Sequence, residues 1–234
     1  MNTFFLLIIA LTPGIAIAFF IYISDKDEPE PVKLILLSFF YGILSLGVNL
    51  AAAIPLDRIV HINEKNLTDQ AINAFAIVAF LEELSKFIFV RGILYRNKNF
   101  NEPLDGIVYS VMVGMGFATA ENIIYVWHGE GGTAIIRMLT AIPAHALFAV
   151  LMGYWLGKAK FTHKREVFYS IVALLVATLF HGVYDYFLFI SFIPGIWLWS
   201  AASLVVAFIL SRKAILLYQS NSPFKPKKLK KKIA

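Results

Sequence analysis

The chain has 234 residues, 59% of them hydrophobic and 15% charged, with a mean hydropathy of +0.72, whereas soluble domains run nearer half apolar and a quarter charged; the composition argues against a soluble globular enzyme. The net charge of +6 is local, because eight of the 21 Lys and Arg lie beyond residue 211, and that is not a nucleic-acid-binding distribution. The absence of cysteine removes disulfides, thiolate metal sites and a Cys nucleophile, so any catalysis must use oxygen and nitrogen groups.

A bilayer core about 30 Å thick takes roughly 20 apolar residues per helix. Seven stretches of about that length follow one another at 3–23, 34–56, 71–94, 104–127, 134–157, 167–189 and 194–210. The chain therefore reads as all-α, a polytopic membrane protein of about seven transmembrane helices. Residues 1–212 form one membrane domain and 213–234 a basic cytoplasmic tail. The first stretch is a span rather than a cleaved leader, since Met1-Asn2-Thr3 supplies no positive charge and the apolar run is too long. Alternate loops, with the tail, carry seventeen cations on one side and two on the other, which sets the N-terminus outside and the C-terminus in the cytoplasm. The tail, from Lys225 to Lys232, is expected to lie on anionic lipid.

Charged side chains at mid-bilayer are costly and therefore face a protein interior or a water cavity. The third span carries Glu82, Glu83, Ser85 and Lys86, and Lys86 stands at i+4 and i+3 from the two acids, so it can pair with either. The fourth span carries Gly114, Gly116 and Glu121, small residues that let a neighbour approach and deliver Glu121 into a packed interior. The fifth carries Pro143 and His145, and the sixth His181 and Asp185, one turn apart on one face. Counting at about 1.5 Å per residue, these groups fall at similar depths in the outer half of the membrane. Asn49, Asn73 and Arg137 each stand alone in a span and read as helix-packing groups.

Two imidazoles and a carboxylate, with a further carboxylate as base, compose a hydrolytic zinc site. Glu121, His145, His181 and Asp185 are the metal candidates, with Glu82 or Glu83 receiving the proton of bound water. No His-Glu-x-x-His helix is present, and the same residues allow a metal-free route in which a Glu activates water and imidazoles donate to the oxyanion. The sequence leaves both open, and it leaves open which of Glu82 and Glu83 faces the cavity.

These residues resemble the PrsW family of intramembrane proteases, distant relatives of the CAAX-prenyl endopeptidase and bacteriocin-processing superfamily. The segment from Tyr22 to Pro31 is similar to that family's acidic-proline loop, and Glu82-Glu83-Leu84-Ser85-Lys86 to its EExxK motif. Glu121-Asn122-Ile123-Ile124-Tyr125, His145 and His181-Gly182-Val183-Tyr184-Asp185 follow in the family's order. The resemblance implies a multi-pass bacterial cell-membrane endopeptidase that cuts a single-span protein, typically an anti-sigma factor, on its extracytoplasmic side as the first cleavage of a cascade. It makes Glu82 and Glu83 catalytic candidates and His181 their imidazole partner. The wider superfamily generally has His where this chain has Glu121. The acids of the proline loop are expected to be exposed on the cytoplasmic side, far from the polar cluster, as a topological or partner element. Two rival functions fit intramembrane ionisable groups as well: a proton-coupled transporter and a catalytically inactive membrane scaffold.

Overall fold

A computed structural model of the chain describes residues 3–225. The basic stretch assigned to anionic lipid lies, beyond Lys225, outside the described residues. Every regular element among them is helical, in the order α1 (Thr3–Ser24), α2 (Val32–Asp57), α3 (Leu67–Ala71), a π-helical segment (Ile72–Ala79), α4 (Phe80–Gly92), α5 (Pro103–Trp127), α6 (Gly131–Leu139), α7 (Ala141–Phe161), α8 (Glu166–Phe189) and α9 (Leu198–Ser220). Five of these helices are long and apolar enough to cross a membrane, or six if α6 and α7 form one broken span. The rod expected as the third span is present as α3, the π segment and α4 in uninterrupted succession, but Asp69, Glu82, Glu83, Lys86 and Arg91 set it apart in polarity from the others.

The fold is organised around α5. Every residue from 104 to 119 is buried, as expected of a helix that is apolar all round and enclosed by its neighbours. It packs against α7, α2 and α1. Backbone meets backbone on two of its sides: a side chain at Gly42 of α2 would strike the main chain at Val113 and Gly116, and one at Gly153 of α7 would strike that of Gly106. Small residues at such crossings let membrane helices gain dispersion contacts that lipid does not supply. The outward faces of α1, α2, α8 and α9 carry large exposed apolar side chains such as Phe20, Leu36, Leu175 and Phe208, the surface a bilayer would cover.

Element ends follow local chemistry. Asn66 caps α3 by accepting from the backbone N–H groups of Thr68 and Asp69 at 2.8 and 3.2 Å. Gly129, at φ +84°, follows the C-cap of α5 in the left-handed conformation that ends many helices. The expected span 134–157 is instead two helices bent by 44° at Thr140. Pro143 lacks the N–H that would bond to Leu139 and its ring crowds that carbonyl, which ends α6 there. At the C-terminal end, α9 continues to Ser220, so the expected boundary at residue 212 falls inside a helix.

One expectation is corrected. The acids of the loop after α1 were to be exposed, yet Asp25 and Glu30 are each only 2% exposed. The loop folds onto the start of α5: the Tyr109 hydroxyl donates to Glu30 Oε2, and Asn101 Nδ2 donates to Glu28 Oε1 at 3.0 Å. Burial, with repulsion from Glu102 next, pushes Asp25 up to about 7. Burial likewise pushes Glu30 up to about 7, against the lowering effect of the Tyr109 hydroxyl.

Candidate active site

Five helices bring the expected polar residues to one place. α4 contributes Glu82, Glu83 and Lys86, α5 contributes Glu121, α7 contributes His145, and α8 contributes His181 and Asp185; α6 adds Arg137, which sequence reasoning had left as a packing group. The approach to α4 is unusual. Eight residues of π-helix, with i→i+5 bonds such as Phe80 N–H to Phe75 O, close each hydrogen-bonded loop over one residue more than an α-helix does, and such segments are frequent at functional sites. Gly182, beside His181, leaves room for the Phe75 ring of that segment, which a side chain at 182 would overlap.

The two adjacent acids have different surroundings. Glu83 is 1% exposed, and its Oε1 accepts from Lys86 Nζ at 2.8 Å and faces His181 Nδ1 at 2.9 Å. That one oxygen holds two side chains. Glu82 lines the cavity. Its Oε2 lies 3.4 Å from Lys86 Nζ and 4.0 Å from the Nε2 atoms of both His145 and His181. Those two spacings are too long for hydrogen bonds and leave place for a further atom among the three side chains.

The imidazoles are fixed on several sides. The His181 ring stacks on Phe148 with centroids 4.9 Å apart, and its Nε2 faces Asp185 Oδ2 at 3.1 Å. With Nδ1 donating to Glu83, Nε2 must also carry a proton, or share an electrophile with Asp185, for that second contact to be favourable. His145 Nδ1 lies 3.2 Å from Lys86 Nζ and its Nε2 lies 3.4 Å from Glu121 Oε2. Arg137 Nη2 donates to the same Glu121 oxygen. Lys86 sits over the Phe117 ring at 4.1 Å, a cation–π contact that adds to its ion pairs.

Of the polar groups, all except Glu83 and Lys86 border one cavity of about 860 Å³. Its lining continues past Asn49 to Tyr125, His128, Glu130 and Trp197, so it reaches the loops that follow α5 and precede α9. Asn49 and Arg137, which read from the sequence as packing groups, are among its lining residues. Single polar residues in apolar spans carry no signal of what they face, and only the fold supplies it. Ser85 Oγ donates to Glu82 O in its own helix.

The donor set suits a metal ion. Among the described residues of this cluster, Glu82, His145 and His181 each offer an atom within 4.8 Å of the others. One carboxylate and two imidazoles are a set that zinc takes, with Glu82 in the place the sequence had given to Glu121. Glu121 and Asp185 stand one contact further out, each on an imidazole, where a second layer of acceptors orients ligands.

Comparison with known proteins decides the family. The family model described as PrsW family intramembrane metalloprotease matches residues 30–212. The chain belongs to the PrsW family. It is thus a multi-pass membrane hydrolase, as its apolar helices require. It is similar to Protease PrsW of Geobacillus kaustophilus, 39% identical over 185 residues that make up 79% of this chain and 80% of the relative. Protease PrsW of Bacillus subtilis is 37% identical over 182 residues, 76% of this chain and 80% of the relative. That of Clostridioides difficile is 32% identical over 196 residues, 80% of each chain. No solved structure matches. The family's shared motifs, as the sequence presented them, are the segments that meet at the cavity, with the acidic-proline loop the one exception.

Proposed function

We propose that this PrsW-family protein cleaves a peptide bond of a single-span membrane protein, such as an anti-sigma factor, near the extracytoplasmic side. The observation that carries the reading is the position of Glu82, whose carboxylate meets the cavity 4.0 Å from each imidazole while Glu83 is held behind it. In this reading Glu82 takes the proton from the attacking water. His145 and His181 stabilise the charge that develops on the carbonyl oxygen, a role for which donors must be preorganised. Glu83 and Asp185 fix the orientation of His181, Lys86 keeps the two acids from repelling one another, and Arg137 holds Glu121.

Glu82, His145 and His181 would hold a zinc ion. Bound there, the ion would supply a Lewis acid that polarises the carbonyl and acidifies water. The second oxygen of Glu82, and Glu121, are then the acceptors left for the proton of water. The proposed topology has seven crossings, with the rod from Leu67 to Gly92 as one of them, the N-terminus outside and the C-terminus in the cytoplasm. The seventeen-to-two distribution of loop cations supports it, and the basic tail is proposed to rest on anionic lipid. In that orientation the loops lining the mouth of the cavity are extracytoplasmic.

The test is cleavage of a single-span reporter reconstituted with the full chain, comparing wild type with Glu82→Gln, Glu83→Gln and His181→Ala. Metal content is measured on the same preparations. Loss of cleavage in variants that stay folded supports the site, and zinc that is stoichiometric in wild type and lost with His181 selects the metal route. Undiminished cleavage in all three rejects the assignment.

A further inference from the structure

The second polar cluster of the molecule lies at the opposite end of α5 and has no part in the chemistry above. Five carboxylates meet there: Asp25, Glu28 and Glu30 from the loop after α1, and Glu102 and Asp105 from the start of α5. They form two groups that share Asp105. In the first, Asp25, Glu102 and Asp105 each offer an oxygen within 4.8 Å of the others, and in the second Glu28, Glu30 and Asp105 do so. Asp25 is 2% exposed, Glu30 2%, and Glu102 and Asp105 0%.

Acids alone would be weak ground for a site, since carboxylates gather at helix N-termini for the sake of the backbone N–H groups. Asp105 does so with one oxygen, Oδ2, which accepts from the N–H groups of Asn101 and Glu102 at 2.7 and 2.8 Å. Its other oxygen does not. Oδ1 of Asp105, both oxygens of Asp25, Oε1 of Glu30 and Oε2 of Glu28 are buried and accept no hydrogen bond from any described residue. Lys26 and Lys225 border the same pocket, yet among the described residues no ammonium or guanidinium comes within 4.0 Å of any of the five carboxylates. A buried carboxylate with no donor and no counter-charge is a costly arrangement, and buried charges are otherwise paired or coordinate metals. Mutual repulsion makes five in one place costlier still.

We propose that these five carboxylates form a site for a hard divalent cation, Ca2+ or Mg2+, separate from the active site. The ligand chemistry selects the class of ion: all donors are carboxylate oxygens, with no imidazole or sulfur, which suits Ca2+ and Mg2+ rather than zinc. Donor oxygens gathered within 4.8 Å of one another lie within reach of one cation of this class, which takes six to eight oxygens as Ca2+ or a near-octahedral set as Mg2+. A cation here ties the loop between α1 and α2 to the N-terminal end of α5, the helix that also carries Glu121.

The experiment is calorimetric titration of the full chain in detergent, freed of metal by chelator, with CaCl2 and separately with MgCl2, alongside thermal unfolding in each ion. Wild type is compared with Asp25→Asn and Asp105→Asn. Asn keeps the Oδ acceptor that the start of α5 uses, and Asp25 has no hydrogen bond to lose, so at least one variant stays folded. The expected result is saturable binding of one or two ions by wild type, with unfolding shifted upward, and at least a tenfold weaker binding in both variants. Stronger binding of Ca2+ than Mg2+ supports the flexible high-coordination form of the site, and equal binding supports the site with a closed octahedral arrangement. No heat and no shift with either ion at millimolar concentration overturns the proposal, leaving shared protons or the chain's own basic tail as the counter-charge. Binding by the two variants equal to wild type overturns it also.

Discussion

The two ends of α5 handle buried acid in opposite ways. Toward the cavity, Glu82, Glu83 and Glu121 are matched by Lys86 and Arg137, and every close contact joins a donor to an acceptor. About sixteen residues earlier, roughly 24 Å along the helix, five carboxylates share Tyr109, Asn101 and two backbone N–H groups, and no described cation. The first cluster carries its counter-charges in its own sequence and opens only onto the cavity. The second is open in charge, which is why it points to something taken from outside the chain.

The largest expected effect tests the closed end. Glu82→Gln keeps the shape of the side chain and removes its basicity, so cleavage should fall by about 10²–10⁴-fold, the usual contribution of a positioned base. Its unfolding temperature should change little, because Gln still fills the space and Lys86 retains Glu83. A fall in stability as large as the fall in activity would mean that Glu82 is a structural partner of Lys86 and no more.

Next in size is the counter-charge itself. Lys86→Met leaves two carboxylates uncompensated in a buried site and gives the cavity end the character of the other end. Breaking a buried pair from one side costs about 3–5 kcal/mol, to be measured by denaturant unfolding in detergent. The double variant Lys86→Met with Glu83→Gln should recover part of that loss, since the removed charges belong to one network. Strict additivity of the two changes would show that Glu83 and Lys86 are not coupled and break the comparison.

The sequence showed much of the active site and little of the second cluster, for a physical reason. Ionisable groups inside apolar spans stand out against their background, and their depths follow from the rise of a helix, so Glu82, Glu121, His145, His181 and Asp185 could be expected to meet. Which of two adjacent acids faces the cavity depends on helix phase, and the π segment before α4 changes that phase in a way no periodicity discloses. Arg137 was hidden by the break at Thr140, which turns α6 away from α7 and lets it cross Glu121. The acids of the proline loop, by contrast, sit in a polar loop where carboxylates are ordinary. Their burial depends on Tyr109 and Asn101, residues 79 and 73 positions away from Glu30 and Glu28, and no local pattern reports such a contact.

A smaller effect is expected from pH at the open end. Facing Asp25 and Glu30 there are Lys26, Asp27 and Glu28 from the loop, Glu102, Asp105 and Tyr109 from α5, and Lys225 after α9. A carboxyl whose folded pKa is raised stabilises the fold while protonated and loses that contribution as pH rises through the folded value. With Asp25 and Glu30 raised from 3.8 and 4.5 to about 7, the unfolding temperature in chelator should fall between about pH 4 and pH 7. Asp25→Asn should flatten that slope. An identical slope in wild type and Asp25→Asn would show that Asp25 does not titrate in this range.

The smallest expected effect is that of Asn101→Ala, which removes the one amide that donates to Glu28. The contact is near the surface, so its loss should cost about 0.5–1.5 kcal/mol, the net value of an ordinary hydrogen bond. The size of the loss should also depend on what else holds Glu28. In chelator the amide is the carboxylate's only side-chain donor among the described residues, and its removal should register in full. With a divalent cation shared by Glu28, Glu30 and Asp105, the loop has a second attachment to α5, and the same substitution should lower the unfolding temperature by less. Equal losses with and without the ion would mean that the loop is held by its hydrogen bonds alone, and the two ends of α5 would then differ in charge but not in the way they are fastened.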